Sequence, residues 1–221
     1  MSEAAVPRHL PDRLGSRTKD IVYSWETLLI LVLLAVFTIN SFASPYFLDP
    51  WNLSDATFNF TEKALIALAM ALLIISGEID LSVAAIVALA STAMGYIASI
   101  GGGTGTMVLA GILTGLACGA FNGLLVTRFK LPSIVVTIGT MSLFRGMSFI
   151  VLGDGVFKGY PADFAFFGQG YVWWVFSFEF VFFLCAAANY AMLLHKTNFG
   201  RLIYAIGNNE TAALFSGVRV A

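Results

Sequence analysis

Few residues of this sequence could do chemistry, and the main ones are Glu78, Asp80, Arg145 and Glu179, which lie in or beside long apolar stretches. A carboxylate in apolar surroundings can carry a proton or balance a buried cation. Arg145 and Glu179 each lie about 10–12 Å from the same end of their stretches, at 1.5 Å per residue. We therefore predict that these two residues form a buried charge pair. In the alternative, Arg145 extends to water or bonds backbone carbonyls.

Neither catalysis nor metal binding is expected. The apolar stretches contain no Ser/His pair, no His-Glu-x-x-His motif and no two aspartates on separate stretches. Cys118 and Cys185 lie inside apolar stretches without metal-ligand spacing, so we interpret them as packing residues. No motif for binding ATP is present either. We predict no catalytic residue, no metal and no cofactor on this chain.

Composition places the chain in a membrane. Hydrophobic residues make up 58% of the 221 residues and charged residues only 11%, and the mean hydropathy is +0.85. A soluble domain carries about 25% charged residues. The apolar stretches lack the alternation of membrane β-strands, so we predict an all-α, polytopic protein with about six spans. They are residues 28–42, 64–76, 81–100, 107–126, 134–152 and 171–194. The net charge of -1 gives no reason to expect a nucleic-acid partner.

The distribution of lysine and arginine predicts the orientation, because these residues concentrate in cytoplasmic segments. With the N-terminus inside, nine of them are cytoplasmic and two are outside. The inner ones are Arg8, Arg13, Arg17, Lys19, Arg128, Lys130, Lys196, Arg201 and Arg219, and the outer ones are Lys63 and Lys158. The early residues do not form a cleavable signal peptide. We therefore predict a cytoplasmic tail at 1–25, a transmembrane domain at 26–194 and a cytoplasmic segment at 195–221.

The second apolar stretch, residues 64–76, is too short for a full span and ends in Gly77-Glu78-Ile79-Asp80. A short span that is broken by glycine and acids indicates a discontinuous helix or a tight inner turn. Asp80 suits the N-cap of a helix that starts at Leu81. Alternatively, the polar break lines a transport path. The candidate path residues are Gly77, Glu78, Asp80 and Ser82.

Residues 199–217 predict two short helices in water. Gly207 suits a left-handed residue that ends the first helix, and Asn208 or Asn209 suits the N-cap of the second. The second helix, at about 209–216, is far shorter than the roughly 20 residues of a span. Small residues alternate with large ones in this segment, so we predict that it docks in the groove of another protein.

Three segments carry a resemblance to a known family. Residues 77–83 read Gly-Glu-Ile-Asp-Leu-Ser-Val, residues 131–141 read Leu-Pro-Ser-Ile-Val-Val-Thr-Ile-Gly-Thr-Met and lead to Phe-Arg-Gly at 144–146, and residues 198–217 begin Asn-Phe-Gly-Arg. Together they resemble the permease subunits of bacterial ABC importers for simple sugars, of the ribose, xylose and rhamnose type. Glu78 stands where the family's first motif has a second glycine, and Ala84 where it has a final one.

The resemblance implies a subunit of the bacterial inner membrane that forms part of a sugar path without changing the sugar chemically. Its implied partners are an ATP-binding subunit, which holds the ATP, a second permease subunit and a periplasmic sugar-binding protein, all in a lipid bilayer. Residues 198–217 correspond to the coupling helices that dock on the ATPase. The implied coupling residues are Gly200, Arg201, Ala205, Gly207, Asn208, Asn209, Ala212, Ala213 and Gly217.

Two further expectations follow. Family members continue with more spans beyond the coupling segment, so the chain resembles about the N-terminal two-thirds of a permease, as a fragment or as a truncated gene product. The alternative function is a proton-coupled secondary transporter in which Glu78, Asp80 or Glu179 carries the proton. Such a transporter needs no docking helix and tends to contain an inverted repeat, and we find no such repeat in the sequence.

The orientation is testable with cysteines at Ser54, Asp163 and Asn208, in a chain whose two native cysteines are replaced. An impermeant thiol reagent should label positions 54 and 163 in intact cells, because both are predicted to face outward. It should label position 208 only after the cells are broken. Labelling of position 208 in intact cells would overturn the predicted orientation.

Overall fold

The computed structural model describes residues 24–218, which form two compact units, one ending at Leu53 and the next beginning at Ser54. Apart from Ser24 and Trp25, the predicted tail 1–25 lies outside the described residues. The same holds for Arg219. The orientation prediction therefore rests on the sequence for its N-terminal cations.

The described residues are mostly helical. In chain order the helices are α1 (Trp25–Ala43), α2 (Pro50–Ile75), α3 (Val83–Ser99), α4 (Thr104–Phe129), α5 (Ser133–Leu152), α6 (Ala165–Gln169), α7 (Phe178–Lys196), α8 (Asn198–Asn208) and α9 (Glu210–Phe215). A 3-10 turn (Ala162–Phe164) precedes α6, and two short strands, β1 (Tyr171–Trp173) and β2 (Phe176–Ser177), precede α7. By length and composition, five of the described helices can cross a membrane: α1, α2, α4, α5 and α7. With the 17-residue apolar helix α3, this confirms the predicted all-α polytopic architecture of about six spans.

Helix α1 exposes apolar side chains all along its length and has no buried residue. Its N-cap is Ser24, whose hydroxyl accepts the Thr27 N–H at 3.3 Å. Phe37 of α1 contacts Phe47, in the segment that follows the helix, edge to face, with ring centroids 5.5 Å apart. A helix that is apolar on every side suits a lipid solvent, because lipid tails are as apolar as its side chains.

The packed centre of the second unit is formed by α3, α4 and α5. Ala85 and Leu89 of α3, Cys118 of α4 and Phe144 of α5 form one buried cluster. A Cβ on Gly111 of α4 would lie 2.7 Å from Met94 Sδ, so this glycine permits close packing of α4 on α3. Cys118 is thus a packing residue, as expected.

Helix α2 is a complete helix of 26 residues, so the predicted short second span at 64–76 was wrong. The helix begins at Pro50, a residue type that favours the first helical position. Hydropathy did not predict its first half as part of a span because that half contains many polar residues. Their hydroxyl groups are satisfied by hydrogen bonds to the backbone of the helix itself. Thr57 donates to the Ser54 carbonyl and Thr61 to the Thr57 carbonyl, each at 2.6 Å.

The last predicted span, 171–194, was also wrong at its start, because residues 171–177 form a hairpin and α7 begins only at Phe178. Tyr171 pairs with Ser177 across the antiparallel strands. Trp174 at the turn has φ of 49°, which is unfavourable for a bulky residue. Ser177 then serves as N-cap of α7 and accepts the Phe180 N–H at 3.3 Å.

The hairpin is fastened to the first turns of α2. The Ser54 hydroxyl donates to the Val175 carbonyl, and Thr57 Oγ1 lies 3.1 Å from Ser177 Oγ. Phe58 meets Tyr171 edge to face at 5.7 Å between centroids. Ser54 is only 5% exposed, so Asp163, which is exposed, is the better of the two outer labelling positions.

Replacing Ser177 with alanine should lower the free energy of unfolding by about 1–2 kcal/mol, because α7 loses its N-cap and Thr57 loses a hydroxyl partner. The measurement is unfolding by sodium dodecyl sulfate in detergent micelles, followed by circular dichroism. Ser41→Ala is the matched control, since the Ser41 hydroxyl donates to the Phe37 carbonyl inside one helix and caps nothing. Equal effects of the two substitutions would show that Ser177 does not fasten the hairpin.

Candidate functional site: the break between α2 and α3

Residues 76–82 interrupt the helical chain, so the predicted break is present. Helix α2 ends in a turn with Gly77 in the left-handed region, at φ of 87°. The Glu78 N–H reaches the Leu73 carbonyl at 2.9 Å, and the Gly77 N–H reaches the Ile74 carbonyl at 3.1 Å. This pair of bonds is a Schellman motif, which favours glycine at the position of Gly77.

Asp80 does not cap a helix that begins at Leu81, and this prediction was wrong in detail. Helix α3 begins at Val83, and its N-cap is Ser82. Asp80 Oδ1 instead accepts both the backbone N–H and the hydroxyl of Ser82, each at 2.7 Å. The carboxylate therefore holds the backbone turn that precedes α3, because it satisfies the N–H of the N-cap residue itself.

Ser82 connects the break to α4 through a buried polar chain. It is 0% exposed and accepts a hydrogen bond from Asn122 Nδ2 at 2.8 Å. Asn122 is 6% exposed, and its Oδ1 has no hydrogen-bond partner among the described residues. A buried unpaired oxygen is costly, so this atom marks the chain of Asp80, Ser82 and Asn122 as a candidate site.

A cavity of about 350 Å³ opens beside this chain. It lies between the break, α4 and the first turns of α5. Its polar lining consists of Glu78, Asp80, Asn122, Thr127, Ser133 and Thr137. The Ile79 N–H donates to the Ser133 hydroxyl at 3.3 Å, which ties the break to α5. Glu78 and Ile79 are otherwise exposed, whereas Asp80 is half-buried.

Sequence reasoning missed the contribution of α4 and α5 to this site. The fourth apolar stretch contains a glycine at every fourth position, namely Gly111, Gly115, Gly119 and Gly123. Only Gly111 among these packs against a neighbouring helix, whereas Gly119 and Gly123 line the cavity. The available signal was Asn122, since a polar amide inside an apolar span marks a functional position.

Among its described residues, the segment 195–221 contains two short helices, α8 and α9, as predicted. Thr197 caps α8 by accepting the Gly200 N–H at 3.2 Å, and Asn209 caps α9 by accepting the Ala212 N–H at 2.9 Å. Gly217 ends α9 with φ of 85°. Asn209, rather than Asn208, is thus the N-cap of the second helix.

Gly207 lies inside α8 and does not end it, so its predicted left-handed conformation was wrong. It is glycine for a different reason. A Cβ at this position would overlap the carbonyl oxygen of Ile75, the last residue of α2. The C-terminal end of α8 therefore rests directly against the start of the break, which sequence reasoning did not anticipate.

The other predicted coupling residues take different places. Gly200 is buried at the corner between α7 and α8, where a Cβ would overlap the Leu194 carbonyl. Arg201 is exposed and donates to Asn198 Oδ1. Ala205, Asn208 and Ala212 are exposed, and Ala213 is buried. On α9 the outward side chains include Phe215, which is 86% exposed.

Arg145 and Glu179 do not meet, so the predicted buried pair was wrong. No ion pair joins them in residues 24–218, and Arg145 is exposed on α5. The hairpin places Glu179 in the first turn of α7 instead of deep within a span. The charged side chain that interacts electrostatically with Glu179 is a second carboxylate, that of Glu62 in α2. In the same part of the chain, no cluster of three or more His, Cys, Asp or Glu residues could hold a metal ion.

The known proteins that are similar to this chain include three permease proteins from different bacteria. The ribose import permease protein RbsC of Bacillus subtilis is 35% identical over 86% of this chain and 59% of its own length. The L-arabinose ABC transporter permease protein AraH of Azospirillum brasilense is 33% identical over 87% and 56%. The autoinducer 2 import system permease protein LsrC of Yersinia enterocolitica is 31% identical over 86% and 52%.

The chain therefore spans between half and three-fifths of the length of these relatives. No solved structure matches it. Matches to permease proteins do not support the alternative of a proton-coupled secondary transporter. Residues 52–221 match the family described as "Branched-chain amino acid transport system / permease component". This match covers most of the chain, which belongs to that family of membrane permease components.

Proposed function

We propose that this chain is the permease subunit, or the N-terminal part of one, of an ATP-driven importer of simple sugars in the bacterial inner membrane. The similarity to permeases named for ribose and L-arabinose supports a sugar as the substrate. The bias of lysine and arginine supports a cytoplasmic N-terminus and a cytoplasmic segment 195–221. The subunit moves the sugar without changing it, and a separate partner binds ATP.

The contact of Gly207 with the Ile75 carbonyl is the observation that carries this proposal. Since α8 rests on the last residue of α2, a displacement of α8 acts directly on the break at 76–82. The break in turn contributes Glu78 and Asp80 to the cavity wall. A cytoplasmic event at α8 and α9 can thereby change the shape of a cavity between the spans, as rigid-body coupling requires.

The outer surface of α9 provides the docking site for the ATPase in this proposal. Ala212, Leu214 and Phe215 are exposed, whereas Ala213 faces the chain. Exposed aromatic anchors beside small residues are typical of a helix that fits into a partner's groove. Helix α8 is amphipathic, with Phe199, Leu202, Ile203 and Ile206 on one face, which suits the membrane surface.

The remaining partners follow from the same assignment. Neither α1 nor α7 has a buried residue. Their apolar surfaces are therefore available to lipid or to a second permease subunit. A periplasmic sugar-binding protein delivers the substrate at the outer ends of the spans. ATP-driven closure of the ATPase pulls α8 and α9, and the spans switch between outward-open and inward-open arrangements.

Phe215→Ala should weaken association with the ATPase subunit at least tenfold, because the change removes an exposed anchor from the docking helix. The measurement is co-purification of the ATPase with the permease chain in mild detergent, quantified from the same membranes. Phe42→Ala is the matched control, since Phe42 is 89% exposed but belongs to the span α1. Unchanged association of the Phe215 variant would contradict docking through α9.

Gly207→Ala should loosen the end of α8 from α2, because the added Cβ overlaps the Ile75 carbonyl and the two helices must separate. Hydrogen exchange of residues 75–82 and 198–208 should therefore become faster. Gly115→Ala is the control, because a Cβ at Gly115 meets nothing within 4 Å. If exchange in both segments stays at the wild-type rate, α8 does not hold the break.

A further inference from the structure

We propose that the cavity beside the break is a binding subsite for an uncharged polyhydroxyl ligand, with Asn122 Oδ1 as its central hydrogen-bond acceptor. This proposal rests on the proposed sugar-import function and adds to it a place and a set of residues. It goes beyond the break residues themselves, because the decisive groups lie on α4 and α5.

The orientation of the Asn122 amide is fixed by its neighbours. The Ser82 hydroxyl donates its only hydrogen to Asp80 Oδ1, so Ser82 Oγ can only accept from Asn122. Asn122 must therefore present Nδ2 to Ser82, which leaves its oxygen for another donor. This oxygen is buried and has no partner among the described residues, and Asn122 lines the cavity. A ligand hydroxyl satisfies it.

Most other polar groups of the cavity wall are acceptors as well. Thr127 and Thr137 donate their hydroxyl hydrogens to the carbonyls of Gly123 and Ser133 in their own helices, at 2.7 and 2.8 Å. Their oxygens keep lone pairs free for a ligand. Glu78 and Asp80 add carboxylate oxygens.

Ser133 supplies the complementary donor. Its oxygen accepts the Ile79 N–H, which leaves its hydroxyl hydrogen free for an acceptor. A wall of many acceptors and one such donor matches a ligand with several hydroxyl groups. Each hydroxyl can donate to the wall, and one of them can accept from Ser133. An anion is disfavoured because it would meet the carboxylates of Glu78 and Asp80.

The size and floor of the cavity suit a small ring. Its volume of about 350 Å³ lies at the small end of the range of ligand pockets. Gly119 and Gly123 line it, and a Cβ on either would meet nothing within 4 Å. These glycines therefore leave room beside α4, where the C–H face of a sugar ring can lie flat.

The test is direct binding of tritiated D-ribose to the purified chain in lipid nanodiscs. Saturable binding is expected for the wild type. Asn122→Leu, which removes the acceptor, should weaken it by about tenfold or more. Gly119→Leu should weaken it similarly by filling the cavity without removing a polar group. Gly115→Leu, one turn away on α4 and outside the cavity lining, is the matched control and should bind as the wild type does.

Retained folding of each variant is checked by helix content and by elution as a single species. Ribose binding by Gly119→Leu at wild-type affinity would overturn the cavity assignment, and so would absence of saturable binding by the wild type at millimolar ribose. Preferential binding of cationic D-glucosamine over ribose would overturn the assignment of an uncharged ligand. ATPase association is measured separately through Phe215, so a wrong subsite is distinguishable from a wrong function.

Discussion

The structure depends on one constraint. Where the chain passes from one span to the next, its backbone polar groups must keep hydrogen-bond partners. Hydrocarbon offers these groups no partners, so a non-helical segment between spans must satisfy them within the protein or in water. Between α2 and α3 the Schellman turn at Gly77 satisfies the end of one helix. The Asp80 carboxylate receives the N–H of Ser82, and the Ser133 hydroxyl receives that of Ile79. These bonds place carboxylates and hydroxyls at one end of a packed set of apolar helices.

The same solution makes the break a meeting point of otherwise separate parts of the chain. Ser133 belongs to α5, Asn122 to α4 and Gly207 to α8, and each contacts a residue in or beside the segment 75–82. Close approach at Gly207 is possible only because it lacks a side chain. A backbone carbonyl is a stiff contact surface, unlike the end of a flexible side chain, so a side chain at position 207 could not be accommodated by a change of rotamer.

Much of this arrangement could be predicted from residue types alone. The break at 77–80, the two short helices α8 and α9 and Asn209 as a cap are encoded locally, since glycine, aspartate and asparagine each favour particular backbone conformations. The hairpin at 171–177 could not be predicted by hydropathy, because its aromatic residues are as apolar as those of a span. The structural role of Gly207 could not be predicted from the sequence either. Glycine occurs both in left-handed turns and at close contacts, and only the position of α2 shows which of the two applies here.

The candidate site, too, could be predicted from the sequence only in part. Glu78, Asp80 and Ser82 were found because they are polar residues at every second position of one short segment between apolar stretches. Asn122 and Thr137 are single polar residues in two other spans, and their relation to Asp80 depends on how α3, α4 and α5 pack. The pairing of Arg145 with Glu179 failed because of the hairpin. It puts Glu179 in the first turn of α7, so the depth that the sequence suggested for this residue was wrong.

The hairpin bond from Ser54 to Val175 has a consequence for the order of assembly. Its two partners are 121 residues apart in the chain. At about 5–20 residues per second, the ribosome needs roughly 6–24 s to make the second partner after the first. During that interval the hydroxyls at the start of α2 have no hairpin to bind, although the helix itself has already been made. The contact between the hairpin and the start of α2 therefore forms late, after most of the described helices have been synthesised.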